Sequence, residues 1–177
     1  MKKVSFVIPC YRSEKTLEHV VAEIEATMQK LKKYGYEIVL VNDCSPDGTL
    51  SVIRRLCGTS ENIKGISFSK NFGQHSALMA GLRQASGDYV VCLDDDGQTP
   101  ACEVEKLLVK IEDGYDAVYA RYHHKMHSRF RNFGSQRPEF NFNDMSEIIM
   151  PLPPLPVPRA LFPRFPEPCS LVFPLTN

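Results

Sequence analysis

Three consecutive carboxylates, Asp94, Asp95 and Asp96, pose the hardest chemical problem in this chain. Adjacent carboxylates raise one another's pKa unless a cation compensates them. On an extended segment alternate side chains point the same way, so Asp94 and Asp96 can share one target. Hard oxygen donors suit Mg²⁺ or Mn²⁺, and such ions usually bridge carboxylates to the phosphates of a substrate. The blander reading is an acidic turn, with Asp96-Gly97 as its turn chemistry. Residues elsewhere shift the balance toward the metal. Lys70 and Arg121 could neutralise phosphates, and Arg121 could grip two oxygens at once. Either could instead be a solvated surface charge. Asp43 offers a carboxylate to a nucleobase or ribose, or an Asx-type turn that caps its own backbone. Tyr11 offers an aromatic face on which any base can stack, or is a half-buried surface tyrosine.

Each of these residues follows an apolar run short enough to be a strand. The runs are Val4 to Ile8, Glu37 to Val41, Ile63 to Phe68, Tyr89 to Leu93 and Asp116 to Ala120. Helical spacing fills the gaps. Leu17, Val20, Val21, Ile24, Met28 and Leu31 form one apolar stripe, with Ser13 placed to cap it and Gly35 to close it. Leu50 to Cys57 and His75 to Gln84 are shorter helices. Pro100 opens a fourth, with Val104, Leu107, Leu108 and Ile111 on one face. Strands alternating with helices predict an α/β fold with an open, mainly parallel sheet and helices on both faces. Such sheets bind ligands beyond the carboxyl ends of their strands. The polar residues above all fall there.

Composition excludes several classes. The formal net charge is zero, so no overall field favours nucleic acid. No run of about 18 apolar residues is present to cross a membrane. The lysines of Met1-Lys2-Lys3 imitate a signal peptide, but Pro9 interrupts the apolar stretch too early. Six cysteines include no CxxC pair and read as small buried hydrophobes in a reducing cytoplasm. No G-x-G-x-x-G or Walker A sequence occurs. His123 and His127 are spaced for zinc on a helix, but Lys125 and Arg129 make a solvated basic segment the better reading.

The segments VSFVIPCYRSE, EIVLVNDCSPDGT, KNFGQHSALMAG, GDYVVCLDDDGQTP and YDAVYARY occur in this order. Together they resemble family 2 glycosyltransferases, typified by enzymes that load a sugar onto dolichyl or undecaprenyl phosphate. The resemblance covers roughly residues 3 to 135. It implies a GT-A, Rossmann-like fold, a divalent cation (Mg²⁺ or Mn²⁺) and a UDP- or GDP-linked sugar donor. It further implies a polyprenyl-phosphate acceptor met at the inner membrane surface by a cytoplasmic protein. Carried over by position, Pro9 and Tyr11 border the base, and Val41 and Asp43 contact base and ribose. Asp94, Asp95 and Asp96 form a DxD-like element. Asp94 and Asp96 serve catalysis and join Gln98 as metal ligands, while Arg121 contacts the diphosphate. Asp95 and Lys70 are counted with the substrate-binding residues. So is Ser13, which stands where the family often has glutamate. Asn42 replaces a frequent aspartate, so the base stays open.

The remaining sequence differs in kind. Residues 136–177 hold ten of the thirteen prolines and no glycine. Proline this dense removes backbone donors and predicts an irregular, polyproline-like tail. The expected organisation is a nucleotide-sugar-binding domain over 1–135, truncated in its acceptor half, followed by this tail. The tail's composition suggests a frameshifted end, and transcripts carrying an uninterrupted frame would count against that. A catalytically incomplete nucleotide-sugar-binding fragment is therefore the main alternative to an active transferase. A receiver domain would place its acid pair after the first strand, where Pro9-Cys10-Tyr11 stands. A sugar nucleotidyltransferase would carry a glycine-rich, arginine-containing loop there.

Overall fold

The computed structural model describes residues 1–97 and 101–120, and the backbone of 147–151 and 171–172. Four strands build the centre of the sheet; three are apolar along most of their length because both faces are covered, while the third in chain order buries only its two isoleucines. The four are β1 (Lys3–Cys10), β2 (Gly35–Asn42), β3 (Ile63–Ser67) and β4 (Tyr89–Leu93). All four run parallel, with β1 paired to both β2 and β4, and β2 to β3. Parallel neighbours need crossovers. These are α1 (Leu17–Lys30), α2 (Thr49–Thr59) and α3 (Gln74–Gln84). A 3₁₀ turn, Ala101–Glu103, leads into α4 (Val104–Glu112), and β5 (Val118–Ala120) follows.

Alternation along β1 splits the core. Phe6 and Ile8 pack with Leu17, Ile24, Ile53 and Leu108, so α1, α2 and α4 cover one face. Val7 packs with Val39, Val41, Val90 and Ala77, which puts α3 on the other. There α3 lies so close that a Cβ on Gly81 would stand 2.3 Å from a Val7 methyl. Only glycine permits that approach.

The sheet order is β5-β6-β4-β1-β2-β3-β7, where β6 is Glu147–Pro151 and β7 is Leu171–Val172. From β1 the chain steps outward through β2 and β3, then returns to place β4 on the opposite flank. The order therefore reverses between β1 and β4, and a crevice is expected at their carboxyl ends.

Three expectations need correction. Gly35 does not close α1. The helix ends at Lys30, and Gly35 opens β2 opposite Lys3. Ser13 does not cap α1 with its hydroxyl, which instead donates to Asp95. The Ser13 carbonyl accepts the Thr16 and Leu17 amides, 3.1 and 3.0 Å away. Nor is 136–177 irregular throughout. β6 pairs antiparallel with both β4 and β5, and β7 pairs antiparallel with β3. Glu147 to Met150 contains two isoleucines and no proline, and Pro151 falls at the strand's end, where a missing donor is tolerated. Among the described residues no helix is long and apolar enough to cross a membrane. Cys10, Cys44, Cys57, Cys92 and Cys102 are free thiols.

Candidate functional site

A cleft of about 370 Å³ opens at the carboxyl ends of β1, β2 and β4. Its walls are Pro9 to Tyr11 after β1, Asp43 after β2, Asn71, Gly73 and Gln74 at the start of α3, and Asp94 to Asp96 after β4. Loops this polar need internal bonds to hold a shape, and here side chains supply them.

The loop after β1 is held by three successive amides. Tyr11 N–H donates to Asp95 Oδ2 at 2.9 Å, Arg12 N–H to Ser45 Oγ at 2.7 Å, and Ser13 N–H to Thr49 Oγ1 at 2.9 Å. Arg12 has φ 60°, a left-handed conformation that costs a non-glycine residue energy and persists only when its surroundings hold it. Its guanidinium lies 5.5 Å from the Tyr11 ring centre. Tyr11 itself is 44% exposed.

Behind that loop sits Asp47. Its Oδ1 accepts the Ser45 and Thr49 hydroxyls at 2.5 and 2.6 Å. With their protons fixed there, both hydroxyl oxygens are free to accept the Arg12 and Ser13 amides. Desolvation pushes the Asp47 carboxyl up, but Ser45 and Thr49 overcome it and hold the group at about 2.

Asp43 is buried, and its carboxylate clamps the next loop. Oδ1 accepts Phe72 N–H at 2.7 Å and Oδ2 accepts Gly73 N–H at 2.8 Å. Gly73 has φ 88° and precedes the first residue of α3. Asp43 thus sets where α3 begins. A local side-chain-to-backbone bond is made instead by its neighbour, where Asn42 Oδ1 accepts Ser45 N–H, three residues on, at 3.1 Å.

The acidic turn divides its labour. Asp94 Oδ1 accepts from Gln74 Nε2 at 3.2 Å, across the cleft mouth. Asp96 is exposed. Asp95 turns toward the β1 loop, where it meets Tyr11 and Ser13. Burial pushes its carboxyl above the ordinary range, against the pull of Ser13 and the Tyr11 amide.

Six of the residues singled out in the sequence, Pro9, Tyr11, Asp43, Asp94, Asp95 and Asp96, line this one cleft. Three do not. Val41 is fully buried beneath the sheet. Ser13 is buried under its own loop. Lys70 is exposed, with its ammonium 4.8 Å from the Phe72 ring centre. Gln98, Arg121, His123 and His127 lie outside the described residues. Asn71, Gly73 and Gln74 complete the wall, and sequence reasoning assigned them no role. It also missed Asp47, although hydroxyl residues two before and two after it are a readable signal.

Among the described residues no three acidic, histidine or cysteine side chains gather into a metal cage. Two carboxylates on a cleft wall are nevertheless a fitting donor set for Mg²⁺ or Mn²⁺. Mg²⁺ in particular takes one or two carboxylates and completes its shell with water and substrate phosphates.

Comparison with known proteins identifies relatives of the chain by sequence and by fold. The undecaprenyl-phosphate 4-deoxy-4-formamido-L-arabinose transferase of Proteus mirabilis (strain HI4320) is 37% identical over 139 residues. That match covers 77% of this chain and 42% of the relative. The enzyme of the same description from Yersinia enterocolitica is 38% identical over 137 residues, with the same coverage. The chain thus spans about 42% of the length of these relatives. Among solved structures, the mannosyltransferase PcManGT from Pyrobaculum calidifontis, in complex with GDP-Man and Mn²⁺, superposes with a TM-score of 0.58 and 27% identity. The superposition covers 68% of this chain and 36% of that one. S. aureus TarS 1–349 in complex with UDP shares the fold at a TM-score of 0.55 and 23% identity, over 67% of this chain and 35% of that one. The mainly parallel sheet with its flanking helices is accordingly a GT-A fold, matching 36% and 35% of the two neighbours' chains. The sequence profile described as Glycosyl transferase family 2 matches residues 5–164, so the sheet strand β6 falls within the match, and the chain belongs to that family.

Proposed function

We propose that this chain binds a nucleoside-diphosphate sugar, UDP- or GDP-linked, and that the whole enzyme transfers the sugar to a polyprenyl phosphate. One observation carries the reading. Tyr11, Asp43 and the acidic turn come from three different strands and face one cleft at the switch in strand order. The relatives' names supply the acceptor class, and the neighbour holding GDP-Man and Mn²⁺ supports the donor and cation classes.

In this reading the Tyr11 ring flanks the base. Asp43 keeps lone pairs beyond the two it gives to the Phe72 and Gly73 amides, and these reach the base or ribose. Asp94 and Asp96 face the diphosphate and would hold Mg²⁺ or Mn²⁺ together with Gln98, and Arg121 would contact the phosphates. When bound, the cation neutralises charge developing on the departing diphosphate. A phosphate-monoester acceptor is already anionic near neutral pH, so the site needs positioning more than a general base. Among the described lining residues there is no histidine. Attack from the face opposite the leaving group inverts the anomeric centre. The acceptor would be met at the inner membrane surface by a peripheral, cytoplasmic domain.

A second reading has one observation in its favour, the 42% span of the relatives. It is a nucleotide-sugar-binding portion without transfer. Calorimetric titration with UDP and GDP, each with and without Mn²⁺, tests the shared claim. Binding tightened by Mn²⁺ supports it, and no heat from either nucleotide ends it. Binding without transfer to undecaprenyl phosphate selects the second reading.

A further inference from the structure

The middle carboxylate of the acidic turn does a different job from its neighbours. Asp95 Oδ2 accepts both the Tyr11 amide, at 2.9 Å, and the Ser13 hydroxyl. The Asp95 carbonyl accepts the Thr16 hydroxyl at 2.6 Å. Tyr11, Ser13 and Thr16 all belong to the connection between β1 and α1. Asp95 therefore binds that connection at three points and joins it to the turn after β4. A cation drawn to Oδ2 would have to displace an amide and a hydroxyl that already hold it.

We propose that Asp95 is a positioning residue: it locks the Tyr11 loop to the Asp94–Asp96 turn, so that the base-binding and diphosphate-binding walls of the cleft form one rigid unit. This rests on the nucleotide-binding reading above. The lock acts where the backbone most needs one. Arg12 is left-handed between Tyr11 and Ser13, and without the bonds on either side the loop would relax and carry the Tyr11 ring away from the cleft. Asp95 acts through Tyr11 and not through the metal.

Two arms test this on the whole 177-residue chain. In the first, UDP and GDP affinities are measured by calorimetry, with and without Mn²⁺, for wild type, Asp95→Ala, Asp95→Asn, Tyr11→Ala and the Asp95→Ala/Tyr11→Ala double variant. Bonds to a charged acceptor are lost in Asp95→Ala, so affinity should fall about tenfold or more. The fall should be the same with and without Mn²⁺. In the Tyr11→Ala background it should largely vanish, because residues acting through one another are not additive. Asp95→Asn keeps an oxygen for the Tyr11 amide and should recover most of the affinity. A loss seen only with Mn²⁺, additive with Tyr11→Ala and not recovered by asparagine, would make Asp95 a metal ligand and overturn the proposal.

The second arm needs no ligand. The chain contains no tryptophan, so Tyr11→Trp gives a single reporter. Acrylamide quenching of that tryptophan should rise when Asp95→Ala is added and stay near the parent value with Asp95→Asn. Unchanged quenching in Asp95→Ala refutes the lock by itself. If wild type binds neither nucleotide while quenching rises as expected, the lock stands and the nucleotide reading falls.

Discussion

Glu37 offers the sharpest test of how this sheet is held together, because it is a carboxylate buried to 1% exposure far from the cleft. It lies near the amino end of β2 and gathers partners from the same end of three other segments. Lys3 and Lys64 each place Nζ 2.8 Å from Oε2. Ser5 Oγ donates to Oε1 at 2.6 Å, and Ser86 N–H to the same oxygen at 2.6 Å. Burial alone would raise the Glu37 carboxyl, but Lys3, Lys64, Ser5 and Ser86 together hold it well below the usual carboxylate range. In Glu37→Gln the two lysines lose their counter-charge. Breaking a buried ion pair from one side costs about 3–5 kcal/mol. The lysine side chains are 37% and 38% exposed and can turn toward water. The expected loss is therefore near the low end, about 3 kcal/mol.

Urea unfolding at pH 7 measures that loss, and the acid limb of stability checks its origin. A carboxyl whose folded pKa is depressed contributes stability above its unfolded value of about 4.3, and the contribution fades as pH falls below that value. Wild type should therefore lose stability between about pH 5 and pH 3 more steeply than Glu37→Gln. Nucleotide affinity should not change, since the network sits at the end of the sheet opposite the cleft. Equal urea midpoints, or parallel acid limbs for the two proteins, would refute the argument that this cluster ties the strands together.

Asp43→Ala leaves the Phe72 amide without its acceptor and the Gly73 amide with only Asn71 Oδ1, 3.1 Å away, and should cost about 1–3 kcal/mol in thermal or urea unfolding. It should also weaken UDP and GDP binding, because the wall at Gly73 and Gln74 loses its anchor. Asp47→Asn should flatten the loss of wild-type stability between about pH 4 and pH 2, since the native carboxyl titrates at about 2 and its unfolded counterpart near 4. Gly81→Ala should destabilise by about 1–3 kcal/mol through overpacking against Val7, read from the urea midpoint. Asp96→Ala should abolish any tightening of UDP or GDP binding by Mn²⁺ in calorimetry while leaving the melting temperature nearly unchanged, because Asp96 is exposed.

The parallel sheet was legible because burial on both faces makes β1, β2 and β4 mostly apolar, even with Ser5 and Glu37 inside them. Tyr89–Leu93 was read to the residue. The crevice was legible too, since an open parallel sheet forms one beyond the carboxyl ends of its strands and polar residues follow β1, β2 and β4 there. Less could be read where residues serve the backbone. Ser13 looked like a helix cap because its type and position fit one, but the competing acceptor is Asp95, 82 residues away. Residue spacing cannot encode such a bond. Gly35 looked like a helix stop for the same reason, while the register of β2 against β1 claimed it. β6 was hidden by its setting, a short apolar run beside a proline-dense one, and only pairing with β4 and β5 makes it a strand.

The site residues divide along the same line. Asp43, Asp47 and Asp95 are three carboxylates whose described partners are mostly amides and hydroxyls of neighbouring loops. Each was recognisable as an acid at a strand end or in a turn, but not as a support. A rim built this way needs more acids than the ligand can use, because irregular loops have no ladder to satisfy their N–H groups. An acidic triplet at a strand end is therefore ambiguous by itself. The deciding question is which of its members face amides and which face the cleft. Here Asp95 takes the amide and hydroxyl of the β1 loop, and the proposed cation role accordingly rests on Asp94 and Asp96, which line the same cleft.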